Sequence, residues 1–119
     1  MKITALRTCK FSVPTGQEIR DPATGALLCS TSKPWLFLAL ETDAGITGWG
    51  EGTGEWLTEP VEAMLLSWSE LLVGRDPLPV AAICDDIQDR LPWKGGPVIG
   101  SAIAAINAAL YDIVGKAWG

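Results

Sequence analysis

Residues 38–51 read LALETDAGITGWGE, which is typical of two β-strands joined by a tight turn. The apolar run at 35–40 predicts a strand that is covered on both faces. Residues 43–45, Asp-Ala-Gly, supply the turn, and residues 46–51 form the returning strand. The stretch therefore predicts an antiparallel hairpin.

The flanking segments extend this hairpin into an α+β domain. Upstream, residues 3–12 alternate imperfectly between apolar and polar side chains and predict another strand, which is followed by a long loop at 13–33. Downstream, apolar residues recur at helical spacing from Thr58, a candidate N-cap, to a stop at Gly74, and again at 80–91 and 99–114. We expect a three-stranded antiparallel sheet followed by about three helices, in one domain spanning residues 1–119.

The composition excludes several classes of function. The 119 residues carry 9 Lys and Arg against 14 Asp and Glu without a basic cluster, so neither nucleic acid nor a membrane is an expected partner. Histidine is absent, which removes His-dependent nucleophile triads and imidazole metal ligands. The three cysteines have no CxxC spacing and are expected to be free thiols of a cytoplasmic protein. No apolar run reaches the ~20 residues that span a bilayer.

The glycine-rich stretch at 48–54 does not fit a phosphate-binding loop. The third glycine of a GxGxxG motif would fall on Thr53 or Glu55, and Glu51 and Glu55 would repel a pyrophosphate. The glycines are expected to permit a tight loop or a close approach to another surface. Glu51 and Glu55 could serve as acid–base groups or as Mg²⁺ ligands. The favoured interpretation is that they are solvated loop carboxylates, because no third carboxylate lies in a convincing position for a metal site.

Four tryptophans lie at element ends or in loops, where an amphipathic ring can line a pocket or an interface. They are Trp35, Trp49, Trp56 and Trp93. Asp112 and Lys116 are spaced four residues apart on the last helix, which predicts an ion pair. From the residues alone, the chain is an α+β module with a substantial interface.

Three segments together resemble the N-terminal capping domain of the enolase superfamily, in the mandelate racemase and muconate lactonizing branch. They are residues 38–51, residues 71–77 (LLVGRDP) and residues 102–117 (AIAAINAALYDIVGKA). The departures are small: Asn107 stands where an Asp is frequent, and Tyr111 where a Trp is frequent. The resemblance covers the whole chain.

The resemblance implies a second domain that this chain does not contain. Members of the family continue into a modified (β/α) barrel, whose acidic residues bind Mg²⁺ and whose Lys or His bases remove a proton next to a carboxylate. Mg²⁺ is therefore the implied cofactor, and neither catalytic residues nor metal ligands are expected in residues 1–119. The implied partners are the barrel, a small hydroxy-carboxylate or acid sugar and, at full length, further copies in a homo-oligomer.

In the family, the capping domain closes over the barrel mouth with two loops, which correspond here to about 13–33 and 51–57. By position, the resemblance implies substrate contacts from both loops. The candidates are Thr15, Glu18 and Arg20 in the first loop and Thr53, Glu55 and Trp56 in the second.

These observations leave three hypotheses for function. The first is the lid and specificity domain of a Mg²⁺-dependent enzyme. Acid-sugar dehydration is then the favoured activity, racemisation or cycloisomerisation is the alternative, and the 119-residue chain alone is expected to be inactive. The second is a free-standing binding or oligomerising module. The third is a truncated remnant without activity, whose apolar last helix would promote association.

Overall fold

The computed structural model describes residues 1–54 and 56–119, and all side chains among them except that of Cys29. Within these residues the strands are β1 (Ile3–Pro14), β2 (Ile19–Arg20), β3 (Leu27–Cys29), β4 (Ser32–Thr42) and β5 (Thr47–Glu51). The helices are α1 (Thr58–Ser67), α2 (Ser69–Leu72), α3 (Val80–Asp89) and α4 (Pro97–Trp118). Strands precede helices, so the α+β architecture is confirmed.

The main sheet is antiparallel with the strand order β1-β4-β5. Its β4–β5 pair is the hairpin that residues 38–51 predict. Because side chains alternate along a strand, Leu36, Leu38 and Leu40 of β4 point to one face, where they are completely buried under the helices. The residues between them point to the opposite, outer face.

The segment 13–33 is more ordered than the loop that the sequence predicted, and the loop boundaries were wrong. Strand β1 continues to Pro14, β4 already begins at Ser32, and β2 pairs with β3 in a separate two-stranded ladder. Pro34 lies beyond the part of β4 that pairs with β5, so its missing N–H costs no hydrogen bond. Residues 9–20 are all exposed, so no hydrophobic alternation marks the strand.

The far end of the β1–β4 ladder and the β2–β3 hairpin extend beyond the helical layer. The radius of gyration is 16.1 Å, whereas a compact domain of this length is expected to have ~13.5 Å. Strand β5 pairs only with residues 37–41 of β4, so the ladder beyond it is two-stranded. We therefore call the segment 13–33 the arm.

The start of α1 also differs from the prediction. Thr58 is the first helical residue, and Leu57 takes the N-cap position without a side-chain cap. The Thr58 hydroxyl instead donates to the carbonyl oxygen of Gly54 at 3.1 Å. The predicted helix at 59–73 is divided at Trp68, whose ψ of 0° separates α1 from α2. The apolar stripe remains on one side, since Val61, Leu65 and Leu72 are all buried.

Gly48 and Gly50 allow helix α4 to lie directly against strand β5. A Cβ at Gly48 would lie 2.1 Å from the carbonyl oxygen of Ala109, and a Cβ at Gly50 would lie 1.9 Å from that of Ala105. Atoms do not approach so closely, so only glycine fits at either position. The close approach expected from the glycine-rich stretch is confirmed.

Polar groups of α4 hold the open edge of β5. The Asp112 carboxylate accepts the Trp49 N–H at 2.9 Å, and Lys116 Nζ donates to the Thr47 carbonyl at 2.8 Å. The predicted ion pair joins the two side chains at 2.6 Å. An exposed edge strand is thereby closed to further pairing on this side.

Helix α4 is long and apolar enough to cross a membrane by length and composition alone, which corrects the expectation that no such segment exists. Polar residues are scattered along the helix, but its overall hydropathy stays high. A core helix has the same properties, and α4 packs against the sheet, α1 and α3. Its buried residues are Ala102, Ala105, Ile106, Ala109, Leu110 and Ile113.

Candidate functional site

A pocket of about 330 Å³ opens where the arm meets the start of helix α1. It combines residues from the first predicted loop with Trp56 of the second and with the first two residues of α1. The lining residues are Ser12, Leu28, Ser30, Ser32, Lys33, Pro34, Trp56, Thr58 and Glu59. The fold therefore brings together the two segments that the resemblance assigns to substrate binding.

Trp56 presents a large aromatic ring at this pocket. Its side chain is 63% exposed, and its φ of 65° lies in the left-handed region that bulky residues avoid. Backbone strain of this kind costs on the order of 1–3 kcal/mol and concentrates at ligand-binding sites. The structure thus places an exposed ring on a strained backbone beside the pocket.

The charged residues of the pocket are Lys33 and Glu59. Lys33 Nζ lies 4.6 Å from the centre of the Trp35 ring, a cation–π distance that places the ammonium group on the sheet face opposite the helices. Serine hydroxyls from both strands of the ladder line the same wall. The wall thus offers hydroxyl groups to a ligand.

A charged cluster fixes the first turn of α1 to the sheet. Lys10 Nζ bridges Glu59 and Glu62 at 2.6 and 2.7 Å, and the Thr8 hydroxyl donates to Glu62 at 2.8 Å. Hydrogen bonds from Lys10 and Thr8 lower the pKa of Glu62, and hydrogen bonding to Glu59 and Glu62 raises the pKa of Lys10. The pocket therefore has one wall anchored to the sheet.

The candidates from the first loop do not line this pocket. The Thr15 hydroxyl donates to the Ser30 carbonyl at 2.5 Å and closes the base of the β2–β3 hairpin. Arg20 binds Glu18 at 2.5 Å and the Gly25 carbonyl at 3.0 Å, so these residues brace the hairpin. Their roles in substrate binding stay predictions.

The candidates from the second loop are divided. Trp56 lines the pocket, whereas the Thr53 hydroxyl accepts the Leu36 N–H at 3.0 Å and serves to hold the loop against β4. Glu55 lies outside the described residues. Glu51, also considered as an acid–base group, is exposed at the end of β5.

Sequence reasoning missed most of the pocket wall, including Ser12, Ser30, Ser32 and Lys33. These residues look like ordinary surface positions in a polar segment. The one available signal was the Ser-Thr-Ser-Lys run at 30–33 immediately before an apolar strand. The run can be identified as a wall of the pocket only when the pairing of β1 with β4 is known, because that pairing places Ser12 beside it.

The described residues do not fit a Mg²⁺ site. Among residues 1–54 and 56–119, no group of three Asp, Glu or Cys side chains could hold a metal ion. The carboxylates nearest the pocket, Glu59 and Glu62, are bound to Lys10. A metal that takes part in a reaction at this pocket would therefore need ligands from outside these residues.

Comparison with known proteins identifies the domain. Residues 8–119 match the family model of the mandelate racemase / muconate lactonizing enzyme N-terminal domain. The chain is 45% identical to a D-galactonate dehydratase of Pectobacterium atrosepticum and 42% identical to one of Ralstonia pickettii, in each case over 85 residues. Those residues are 71% of this chain and 22% of each relative, so the match spans less than a quarter of their length.

A solved structure from Roseovarius nubinhibens shows the same fold. That protein, a candidate mandelate racemase/muconate lactonizing enzyme complexed with magnesium, superposes with a TM-score of 0.82 at 29% identity, over all of this chain and 32% of its own. The family match covers far more than half of the chain. The chain therefore belongs to the enolase superfamily, as an N-terminal domain of the mandelate racemase/muconate lactonizing enzyme family.

Proposed function

We propose that this chain is the lid and substrate-specificity domain of a cytoplasmic, Mg²⁺-dependent enzyme that dehydrates an acid sugar by removing the proton next to its carboxylate. The observation that carries this proposal is the pocket in which Trp56 of the second loop meets Leu28 and Ser30 of the arm. Bond-making chemistry and the metal are assigned to a barrel domain outside these residues.

The pocket chemistry favours a polyhydroxy ligand. Serine hydroxyls donate and accept hydrogen bonds with sugar hydroxyls. Leu28 and Trp56 supply apolar surface against the C–H side of such a ligand. Closing this wall over a substrate excludes water, and the electrostatic interactions inside the site become stronger as a result.

The relatives favour dehydration over the alternative reactions. The two curated relatives, which match 71% of this chain, are D-galactonate dehydratases. Racemisation and cycloisomerisation begin with the same proton abstraction and remain the alternative outcomes of an activity test. A free-standing binding module is the alternative of another class.

The first experiment determines the intact mass of the native protein and the coding sequence after the Gly119 codon. The protein is then incubated with Mg²⁺ and D-galactonate, and in parallel with mandelate and muconate. We expect a keto-deoxy acid from D-galactonate only. A native chain that ends at Gly119 and has no barrel partner would contradict the enzyme assignment, and turnover of mandelate or muconate alone would contradict the dehydratase assignment.

A matched pair of variants tests the lid. Trp56→Ala removes the ring at the pocket, and Trp93→Ala removes a ring that is 79% exposed and not among the pocket residues. We expect Trp56→Ala to lower kcat/KM by at least about tenfold, since one lost contact worth ~1.4 kcal/mol has that effect. Trp93→Ala should match the unmodified enzyme. Equal effects of the two variants would show that the pocket is not used by the substrate.

A further inference from the structure

The pocket beside Trp56 opens on the helix-facing side of the main sheet. Lys10 of β1 pairs with Leu36 of β4, whose side chain is buried under the helices. Side chains alternate along a strand, so Ser12 and its register partner Pro34 point to this same face, and both line the pocket. The pocket is therefore a polar continuation of the core, at the point where β1 and β4 leave the helical layer.

Glu59, the second residue of α1, brings a carboxylate to this pocket. Among the pocket residues that the structure describes, it is the one acidic side chain. The side chain is 75% exposed, and its Oε2 atom accepts a hydrogen bond from Lys10 Nζ at 2.6 Å. The bond fixes the carboxylate through one oxygen, so the other oxygen, Oε1, can accept a hydrogen bond from a ligand.

The charges around Glu59 leave the edge of the pocket negative. Lys10 Nζ lies between Glu59 and Glu62, so at neutral pH one ammonium group faces two carboxylates. Lys33 also borders the pocket, but its Nζ lies over the Trp35 ring on the opposite face of the sheet. The edge of the pocket therefore attracts hydroxyl donors and repels a further negative charge.

We propose that Glu59 is a specificity-determining residue, which selects acid sugars whose end facing the lid carries a hydroxyl group rather than a second carboxylate. The inference rests on the proposed function, in which the proton next to the substrate carboxylate is removed at the barrel. That carboxylate then lies at the barrel, and the opposite end of the sugar reaches the pocket. A hydroxyl group at that end donates to Glu59, whereas a carboxylate there meets like charge.

Glu62 provides a matched control, because it has the same charge and contacts the same lysine. Its side chain is only 19% exposed, and it is not among the described residues that line the pocket. Both of its oxygens are occupied, Oε1 by the Thr8 hydroxyl and Oε2 by Lys10. Glu62→Gln therefore removes the same charge from the cluster without changing a group that lines the pocket.

The experiment compares D-galactonate with galactarate, which carries a second carboxylate in place of the terminal hydroxymethyl group. For the full-length protein with Mg²⁺, kcat/KM is measured for each acid, together with the inhibition of D-galactonate turnover by galactarate. We expect the unmodified protein to prefer D-galactonate by at least about tenfold in kcat/KM. Glu59→Gln should abolish most of that preference and make galactarate the stronger inhibitor, whereas Glu62→Gln should retain the preference. Circular dichroism checks that each variant folds.

Two kinds of failure are distinguishable in this experiment. A full-length protein that neither binds nor converts D-galactonate would refute the proposed function, and the role of Glu59 with it. Turnover of D-galactonate with a preference that Glu59→Gln leaves unchanged would overturn the role of Glu59 alone. So would a preference that Glu62→Gln abolishes equally, or equal turnover of both acids by the unmodified protein.

Discussion

The contact between helix α4 and strand β5 provides the sharpest prediction for the fold. Gly50→Ala places a methyl group 1.9 Å from the Ala105 carbonyl oxygen, whereas real Cβ atoms essentially never approach other atoms more closely than 3.0 Å. The obstacle is helix backbone, which cannot rotate away as a flexible side chain can. Helix α4 must therefore move from β5 by about 1 Å, and a gap of 0.5–1 Å already loses roughly a quarter to a half of each dispersion contact.

The expected cost follows from this displacement. Overpacking a well-packed core typically costs ~1–3 kcal/mol, and a rigid backbone obstacle belongs at or above the upper end of that range. We therefore expect Gly50→Ala to lower the free energy of unfolding by about 3 kcal/mol or more. For a domain of this size the midpoint temperature would fall by roughly 10–20 °C.

Urea unfolding followed by circular dichroism measures the change, with a matched control on the same helix. Gly100 and Gly115 lie in α4, and a Cβ at either position would meet no atom within 4 Å. Alanine at these two positions should stabilise the helix by about 0.5–1 kcal/mol each, because glycine has the larger conformational entropy in the unfolded chain. A loss below about 0.5 kcal/mol in Gly50→Ala would refute the close approach of α4 to β5.

Three further predictions concern single polar groups. Asp112→Asn should lower the free energy of unfolding at neutral pH. Hydrogen bonds, chiefly from Lys116, lower the pKa of the Asp112 carboxyl in the folded protein. The stabilisation is therefore present above the ordinary carboxyl pKa of 3.8 and is lost as the pH falls through the lowered pKa of the folded protein. Denaturation of variant and unmodified chain over an acid pH series should therefore converge, and a difference independent of pH would argue against the ion pair. Thr53→Val leaves the Leu36 N–H without its acceptor and should cost about 1–3 kcal/mol in urea unfolding, whereas an unchanged midpoint would mean that this bond does not hold the loop. Burial raises the pKa of the Cys84 thiol, so a maleimide should label it only after unfolding, as mass spectrometry of its peptide would show; rapid labelling of the folded chain would contradict its burial.

The hairpin and the helices could be predicted because their signals are local and tied to a buried core. The apolar run at 35–40, the turn at 43–45 and the helical stripe that includes Val61 and Leu65 each report directly on burial. The arm could not be predicted in the same way. Its ladder is solvated on residues 9–20, so strand pairing there rests on backbone hydrogen bonds that leave no hydrophobic period.

The candidate site was predictable only in part, for a related reason. Trp56 could be singled out because the resemblance assigns the loop at 51–57 to the barrel mouth, and because an amphipathic ring in a loop can line a pocket. Ser30 and Lys33 gain their position from the register of β1 with β4, which the sequence does not display. Thr53 looks like a substrate contact, but its hydroxyl is occupied by the backbone of β4.

Hydrogen exchange on the full-length protein tests most directly whether this domain is a substrate lid. Amide exchange is measured in the presence of Mg²⁺ alone and again in the presence of Mg²⁺ and D-galactonate. If the pocket closes over substrate, the acid sugar slows exchange in residues 28–34 and 52–58, which border the pocket, and leaves the Trp93 loop unchanged. Bound sugar with unchanged exchange in both pocket segments would show that this domain is not a substrate lid.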